Sequence, residues 1–366
     1  MPVIACFISG HGFGHASRDV EVLNTLGALR PDLRFIVRSA VNPGLLTRTM
    51  KVPYGLRPGA CDTGIVQATS VSHNDDATVR EAQRFYAAFG SKIEAETRAL
   101  AGDDVSLVFS DIAPLGFEVA ACLGVPSIAL ANFTWDWVYE THPGFAAAAP
   151  ALLPQLRAAY RRATLALELP FAGGFDVFSA VERLALVARR PSRGRAETRA
   201  HFGLPAEGRV ALLSFGGYGL ASLDLAAIDA RDTWTIVTTD HSSGRATPTD
   251  GVRLVSEDAF VGSGFRYEDL VAAVDVVVTK PGYGIISECI AGGTAMLYTS
   301  RGHFREYDLL VEAMPRYLRC KFISQADLFE GRWRDALEAL VTQAAPPESL
   351  ETNGAEAAAK RIAAFV

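Results

Sequence analysis

Two histidines and three glycines share one short stretch near the start of the chain, Ser9-Gly10-His11-Gly12-Phe13-Gly14-His15. Glycines let a backbone approach a ligand closely, and the amides at the start of a following helix suit an anion or a polar sugar. His15, in the first turn of that helix, is a candidate general base, because imidazole titrates near neutrality. His11 can serve either the chemistry or the closing of the turn. The four-residue spacing would put both rings on one helix face as metal ligands. The glycines between them argue against a helix there, and neither an HExxH pattern nor a third ligand accompanies them. The stretch also misses the dinucleotide fingerprint: His15 takes the third glycine's place, and the second strand closes on Arg38-Ser39 with no acidic residue for a ribose.

Asp111 is the second candidate, directly after the apolar run Leu107 to Ser110. A carboxylate there can hold a histidine Nδ1–H, fix the tautomer and raise basicity. It can equally cap the helix expected from Pro114. The sequence leaves both roles open.

The third stretch is Lys280-Pro281-Gly282-Tyr283-Gly284, between an apolar strand and a helix carrying Glu288. A glycine loop entering a helix start is a cradle for a diphosphate, since free amides and the helix dipole both favour negative charge. Glu288, one turn in, can face ribose hydroxyls. A second such loop, Ser214-Phe215-Gly216-Gly217-Tyr218-Gly219, follows an earlier strand. The Walker pattern, GxSxG and Asp-x-Asp are all missing from the sequence. This weighs against an ATPase, a serine hydrolase and a metal-diphosphate clamp, and leaves metal-free phosphate binding by backbone amides.

These loops need strands ending in a cleft, and the patterning supplies them. Val3 to Ile8, Arg34 to Arg38, Leu107 to Ser110 and Ser127 to Ala131 read as buried strands. Ser17 to Leu29, Thr78 to Leu100 and Pro114 to Leu123 read as helices. After the polar, Arg- and Gly-rich linker 189–208, strands recur at Val210 to Ser214, Thr233 to Thr238, Val252 to Val255, Val274 to Thr279 and Ala295 to Thr299. Helices are expected at Tyr218 to Ile228, Tyr267 to Ala273, Ile285 to Ala291, Arg305 to Met314 and Gln325 to Ala344. The expectation is an α/β chain of two Rossmann-like, doubly wound domains facing a cleft. Residues 1–188 would form the first domain and 189–366 the second.

The chain has 366 residues, 49% hydrophobic and 21% charged, with a net charge of −6. That size suits two domains, and the acidity argues against nucleic acid as the main partner. Five scattered cysteines, Cys6, Cys61, Cys122, Cys289 and Cys320, form neither a disulfide framework nor a zinc pattern. No secretory signal or transmembrane segment is read, so a cytoplasmic location is expected.

The Gly10 to His15 stretch, Ser110-Asp111 and Lys280 to Glu288 together resemble glycosyltransferases of the GT-B fold. The likeness extends to the N-terminal, glycosyltransferase-like half of plant L-arabinokinases, through Asn132-Phe133-Thr134-Trp135-Asp136-Trp137, the run Asp62 to Gln67 and His73. The kinase half of those proteins has no counterpart here, and kinase activity is not expected. The resemblance implies a hexosyltransferase-like enzyme with a nucleotide-sugar co-substrate, UDP-sugar first, and no cofactor or metal. It makes residues 1–188 the acceptor-binding domain and 189–366 the donor domain, with the last helix able to pack back on the first, and it places His15 as base and Asp111 as its orienting carboxylate. Gly216, Gly217, Lys280, Gly282, Tyr283, Gly284, Glu288, Arg305 and Glu306 fall on the donor side, and Phe265 to Tyr267 near the base. Phe13, Arg18, Asn132 and Trp135 fall on the acceptor side. Arg18 departs from the proline common in the family, and Glu306 from its Asp or Gln.

The expected reaction is transfer of a sugar from a nucleotide-diphosphate sugar to a hydroxyl of a small-molecule, lipid or natural-product acceptor, inverting, in a protein able to form a homodimer. Trp135, Trp137 and Tyr139 are read either as an acceptor platform or as core. Two other readings keep the fold: a nucleotide-sugar epimerase or hydrolase using Asp136 and Glu140, and a non-catalytic nucleotide-sugar-binding regulatory module.

Overall fold

Val3–Ile8 is apolar at every position because it lies inside a parallel sheet covered on both faces, which leaves no solvent side to carry polar residues. The computed structural model describes residues 1–142, 144–216, 223–239 and 251–366. Its first half contains strands β1 (Val3–Ile8), β2 (Arg34–Ser39), β3 (Tyr54–Pro58), β4 (Gln67–Thr69), β5 (Ser72–His73), β6 (Val105–Asp111), β7 (Ser127–Phe133), β8 (Leu165–Gly173) and β9 (Val181–Arg183). Helices α1 (Gly12–Leu29), α2 (Pro43–Thr49), α3 (Asp75–Ala87), α4 (Phe89–Leu100), α5 (Pro114–Leu123), α6 (Trp135–Glu140), α7 (Phe145–Ala148) and α8 (Leu152–Tyr160) alternate with them. Seven strands form one parallel sheet in the order β3-β2-β1-β6-β7-β8-β9, and β4 and β5 make a separate antiparallel hairpin.

The second half contains β10 (Arg209–Ser214), β11 (Trp234–Thr239), β12 (Val252–Val255), β13 (Val276–Thr279), β14 (Ala295–Tyr298) and β15 (Cys320–Phe322). With them run α9 (Arg195–His201), α10 (Tyr267–Ala273), α11 (Tyr283–Gly292), α12 (Arg305–Ala313), α13 (Gln325–Phe329), α14 (Arg334–Thr342) and α15 (Gly354–Ala363). The six strands pair in parallel in the order β12-β11-β10-β13-β14-β15. Each sheet separates two apolar clusters, the arrangement of a doubly wound domain.

Two segments cross between the halves. Helix α15 buries Ala355, Ala358, Ala359 and Ile362 in the cluster that holds Val20, Leu23 and Leu26 of α1, so the chain's end lies on the first sheet. The β4–β5 hairpin runs the other way: Val71 at its turn is buried in the core of the second half, and Ser70 Oγ donates to the Phe215 carbonyl at 3.4 Å.

Several elements differ from the sequence expectation. Helix α1 starts at Gly12 rather than Ser17, so Gly12, Gly14 and His15 form its opening turns and His11 is its N-cap. The run Thr78 to Leu100 is two helices broken at Ala88, and Gln325 to Ala344 is two helices separated at Gly331, whose φ of +75° ends the first. Of the helix expected over Tyr218 to Ile228, residues 218–222 lie outside the described residues, and the rest holds one 3-10 turn, Leu225–Ala227. Among the described residues no helix is long and apolar enough to cross a membrane.

Candidate active site

The register of β1 on β6 sets Ile8 beside Asp111, so the loop after β1 and the end of β6 meet at the same sheet edge. His15 is 8% exposed and its Nδ1 lies 2.7 Å from Asp111 Oδ2. With Nδ1–H donated to the carboxylate, Nε2 keeps the lone pair. The other Asp111 oxygen accepts from Arg18 Nη2. Helix α5 takes Ala113 as its N-cap without a side-chain bond, so Asp111 orients the histidine and does not cap the helix. Ile112, at φ +47°, makes the sharp exit from the strand. Burial pushes the Asp111 carboxyl up, but His15 and Arg18 outweigh it and the net direction is down. Asp19, behind Arg18, is driven the other way, well above the usual carboxylate range, by burial and then by Asp111. Arg18 thus meets the lowered carboxyl of Asp111 through Nη2 and the raised one of Asp19 through Nε at 3.5 Å.

Beneath the imidazoles lies Trp135, fully buried, with its ring centroid 5.4 Å from His11 and 6.1 Å from His15. Its Nε1 donates to Asp62 Oδ2 at 2.8 Å, and Ser9 Oγ donates to Asp62 Oδ1 at 3.0 Å. Burial lifts Asp62 to about 6 even though both bonds pull downward. Trp135 stacks on Tyr139, also fully buried, at 5.8 Å. The aromatic platform is therefore corrected: Trp135 and Tyr139 belong to the core of the first half, and half-buried Trp137 lies under the Arg305 guanidinium at 4.2 Å. Phe13 is half-buried and packs against the other cluster of the first sheet. Arg18 is buried inside the cluster as a partner of Asp111 and Asn132, not as a surface for a ligand.

On the facing side, Gly282 is the N-cap of α11 and no side chain caps that helix, so its first amides are available to a ligand. Gly284 faces Gly14 so closely that a Cβ on Gly284 would lie 3.6 Å from the Gly14 Cα. Two helix starts, α1 and α11, are thus brought nose to nose across the cleft. Tyr283 turns away from it: its hydroxyl accepts from the Val187 amide at 3.2 Å and its ring lies under the Arg18 guanidinium. Gly216, two residues after β10, has φ +66°, a conformation open to glycine, and Gly217 lies outside the described residues. Lys280 Nζ donates to Gln67 Oε1 of the hairpin at 3.2 Å.

Glu288 is 4% exposed, with its Oε1 taken by Arg189 Nε at 2.8 Å, so this carboxylate holds the linker arginine here. Glu306 joins the cluster, with Oε1 on Asn132 and Oε2 3.5 Å from Arg301 Nη1. Arg305 does not: it donates to the Trp137 carbonyl at 2.6 Å and to Glu140 at 3.0 Å. Phe265 stacks on His201 at 4.0 Å, and Tyr267 hydrogen-bonds Ser214 at 2.6 Å. Sequence reasoning passed over Ser9 as a side-chain donor and Arg301, and it gave Asp62 and Gln67 no role. Arg301 follows the end of β14, where the rule that ligands sit at strand carboxyl ends would have flagged it.

Two doubly wound domains with the site between their strand ends define the GT-B fold, which this chain has. It superposes on the calicheamicin glycosyltransferase CalG4 with a TM-score of 0.64 at 16% identity, over 100% of this chain and 98% of that one. A UDP-glucosyltransferase from Polygonum tinctorium capable of glucosylating indoxyl gives a TM-score of 0.62 at 12% identity, over 100% and 99%. MurG of Acinetobacter baumannii gives 0.55 at 14%, over 100% of both chains. In sequence, the chain is 27% identical over 342 residues to L-arabinokinase of Arabidopsis thaliana, covering 93% of this chain. It spans 32% of the length of that relative. No family model matches the chain.

Proposed function

We propose that this protein transfers a sugar from a nucleotide-diphosphate sugar to an acceptor hydroxyl with inversion, without a metal, and with His15 as the base. One observation carries the reading: the His15–Asp111 pair at the start of α1 faces the uncapped start of α11. In this scheme His15 Nε2 takes the acceptor's proton as its oxygen attacks the anomeric carbon from one face. The bond from that carbon to the diphosphate oxygen breaks on the other face. Asp111 stabilises the imidazolium, and the amides opening α11 stabilise the charge left on the diphosphate. The names of the structural relatives make UDP the first nucleotide to try and small aromatic or natural-product hydroxyls the first acceptors.

The two halves, divided near residue 188, would close about the linker to exclude water. Donor loading then requires Glu288 to exchange Arg189 for ribose hydroxyls. The similarity to one third of L-arabinokinase supports a second reading, a nucleotide-sugar-binding module without turnover. A thermal-shift panel of UDP, GDP, dTDP and ADP, followed by incubation of the stabilising nucleotide's sugars with acceptors, separates the readings. Product that disappears in His15→Ala supports the enzyme. Binding without product supports the module, and no stabilisation by any nucleotide overturns both.

A further inference from the structure

Most buried arginines of the site region face carboxylates: Arg18 pairs with Asp111, and Arg189 with Glu288 and Glu268. Arg301 has the weakest such pairing of the three, a single long contact with Glu306. It is 6% exposed, yet Glu306 meets it only at 3.5 Å, while its Nη1 donates to the Pro281 carbonyl at 3.0 Å and its buried Nε has no partner. Lys280, next to it on the α11 loop, is met by the neutral Gln67 amide and by no carboxylate among the described residues. Two histidines complete the group. His73 and His11 flank the Phe304 ring at 5.9 and 6.2 Å, with the Arg301 guanidinium 4.3 Å over the same ring. His73 Nδ1 and His11 Nε2 are buried without partners.

Glu306 is the one carboxylate in an ion pair with this group among the described residues, and cations crowded out of water beyond their carboxylates are costly unless an anion joins them. The electrostatics show the strain of their crowding. Burial and then Arg301 bring Lys280 down to about 7 and His73 to about 4, and His11 falls well below its usual range through burial, His15 and Arg301. A carboxylate would be satisfied by one planar guanidinium. Donors converging from separate elements, beside the free amides of α11, suit a tetrahedral oxyanion instead.

We propose that Arg301, Lys280 and His73 form a side-chain receptor for a phosphoryl group, with His73 and Gln67 delivered from the first half by the β4–β5 hairpin. The group belongs to the donor's diphosphate or to a phosphorylated acceptor. The first source rests on the donor reading given above, and the second does not. Binding raises the pKa of Lys280, so the protein takes up a proton near pH 7.5. The charged group facing Lys280 is Arg301, and the titratable His11 and His73 beside it are neutral near that pH.

Calorimetric titration of the full chain with pyrophosphate, UDP, uridine and glucose 6-phosphate tests this. Pyrophosphate is expected to bind, with affinity at least about tenfold weaker in both Arg301→Met and Lys280→Met, and with uptake of a proton read from the buffer dependence of the heat. Loss of UDP binding in the variants with uridine affinity unchanged assigns the group to the donor. Glucose 6-phosphate binding in the presence of saturating UDP, lost in the variants, assigns it to the acceptor. Arg301-dependent pyrophosphate binding without UDP binding keeps the receptor and overturns the donor reading. Anion binding that is absent, or unchanged in both variants, overturns the receptor. Circular dichroism checks each fold, and the better-folded variant decides.

Discussion

Asn132 Nδ2 donates to Glu306 Oε1 at 2.8 Å, and the same amide's oxygen accepts from Arg18 Nη1 at 3.1 Å. One neutral side chain thus joins a strand end of the first sheet to the helix start after β14. Through it a continuous polar line runs from His15 through Asp111, Arg18, Asn132 and Glu306 to Arg301.

Asn132→Ala removes both bonds and leaves a buried carboxylate and guanidinium each short of a partner. Its cost is expected at about 1–3 kcal/mol in urea denaturation. A double-mutant cycle with Glu306→Gln should return a coupling of about 0.5 kcal/mol or more, because the two groups are in contact. Additive losses would mean that the contact carries no energy.

Asp111→Asn keeps the shape of the His15 partner but gives it one donor and one acceptor. Arg18 can only donate, so it draws the new carbonyl, and the amide NH₂ is left facing His15 Nδ1. The ring then carries its proton on Nε2 and cannot act as base. Transfer is expected to fall by about 10²–10⁴ in kcat with nucleotide affinity unchanged. A fall in affinity matching that in kcat would assign Asp111 to structure instead.

Asp62 gives a pH signature. Its folded pKa of about 6 lies above the ordinary value, through burial first, so the folded state binds the extra proton between about pH 4 and pH 6. Its contribution is fully present below pH 4 and is lost as pH rises through 6. Two pH units correspond to about 3 kcal/mol. Asp62→Asn should flatten this part of the stability profile, since Asn can accept from Trp135 Nε1 and donate to Ser9 Oγ. An unchanged slope from pH 4 to 6 would place its origin elsewhere.

The alternation of apolar runs made β1, β2, β6, β7 and β10 to β14 legible, because strands covered by helices on both faces read as apolar runs, whereas the short, half-exposed edge strand β15 carried no such run. Strand ends then pointed to His15 and Asp111, since parallel sheets collect loops at one edge. The hairpin at Gln67 to His73 was illegible: two very short, half-buried strands carry no period, and their anchor, Val71, is buried against residues more than a hundred positions away. Trp135 showed the converse limit. Its type suits a ligand platform or a core equally, and only its burial over Asp62 decides between them. Arg301 carried no local motif, and its meaning comes from its long contact with Glu306 and the unpartnered Nε it keeps.

Arg189 sits where the chain leaves the first half and meets two buried carboxylates, Glu288 at 4% and Glu268 at 3% exposure. Burial raises the Glu288 carboxyl, Arg189 pulls it back and Glu268 pushes it up again. Arg189→Met leaves buried Glu288 without its cation, while Glu268 keeps Arg266 at 2.8 Å, and the expected destabilisation is about 3 kcal/mol at pH 8. As pH falls Glu288 can take up a proton, so the loss should shrink: an acid with a raised folded pKa contributes stability at low pH and loses it as pH rises. Glu288→Gln, which relieves the repulsion, should cost less than Arg189→Met at pH 8. Equal unfolding midpoints for the two variants at pH 8 and at lower pH would show that the linker arginine is held by something other than this pair.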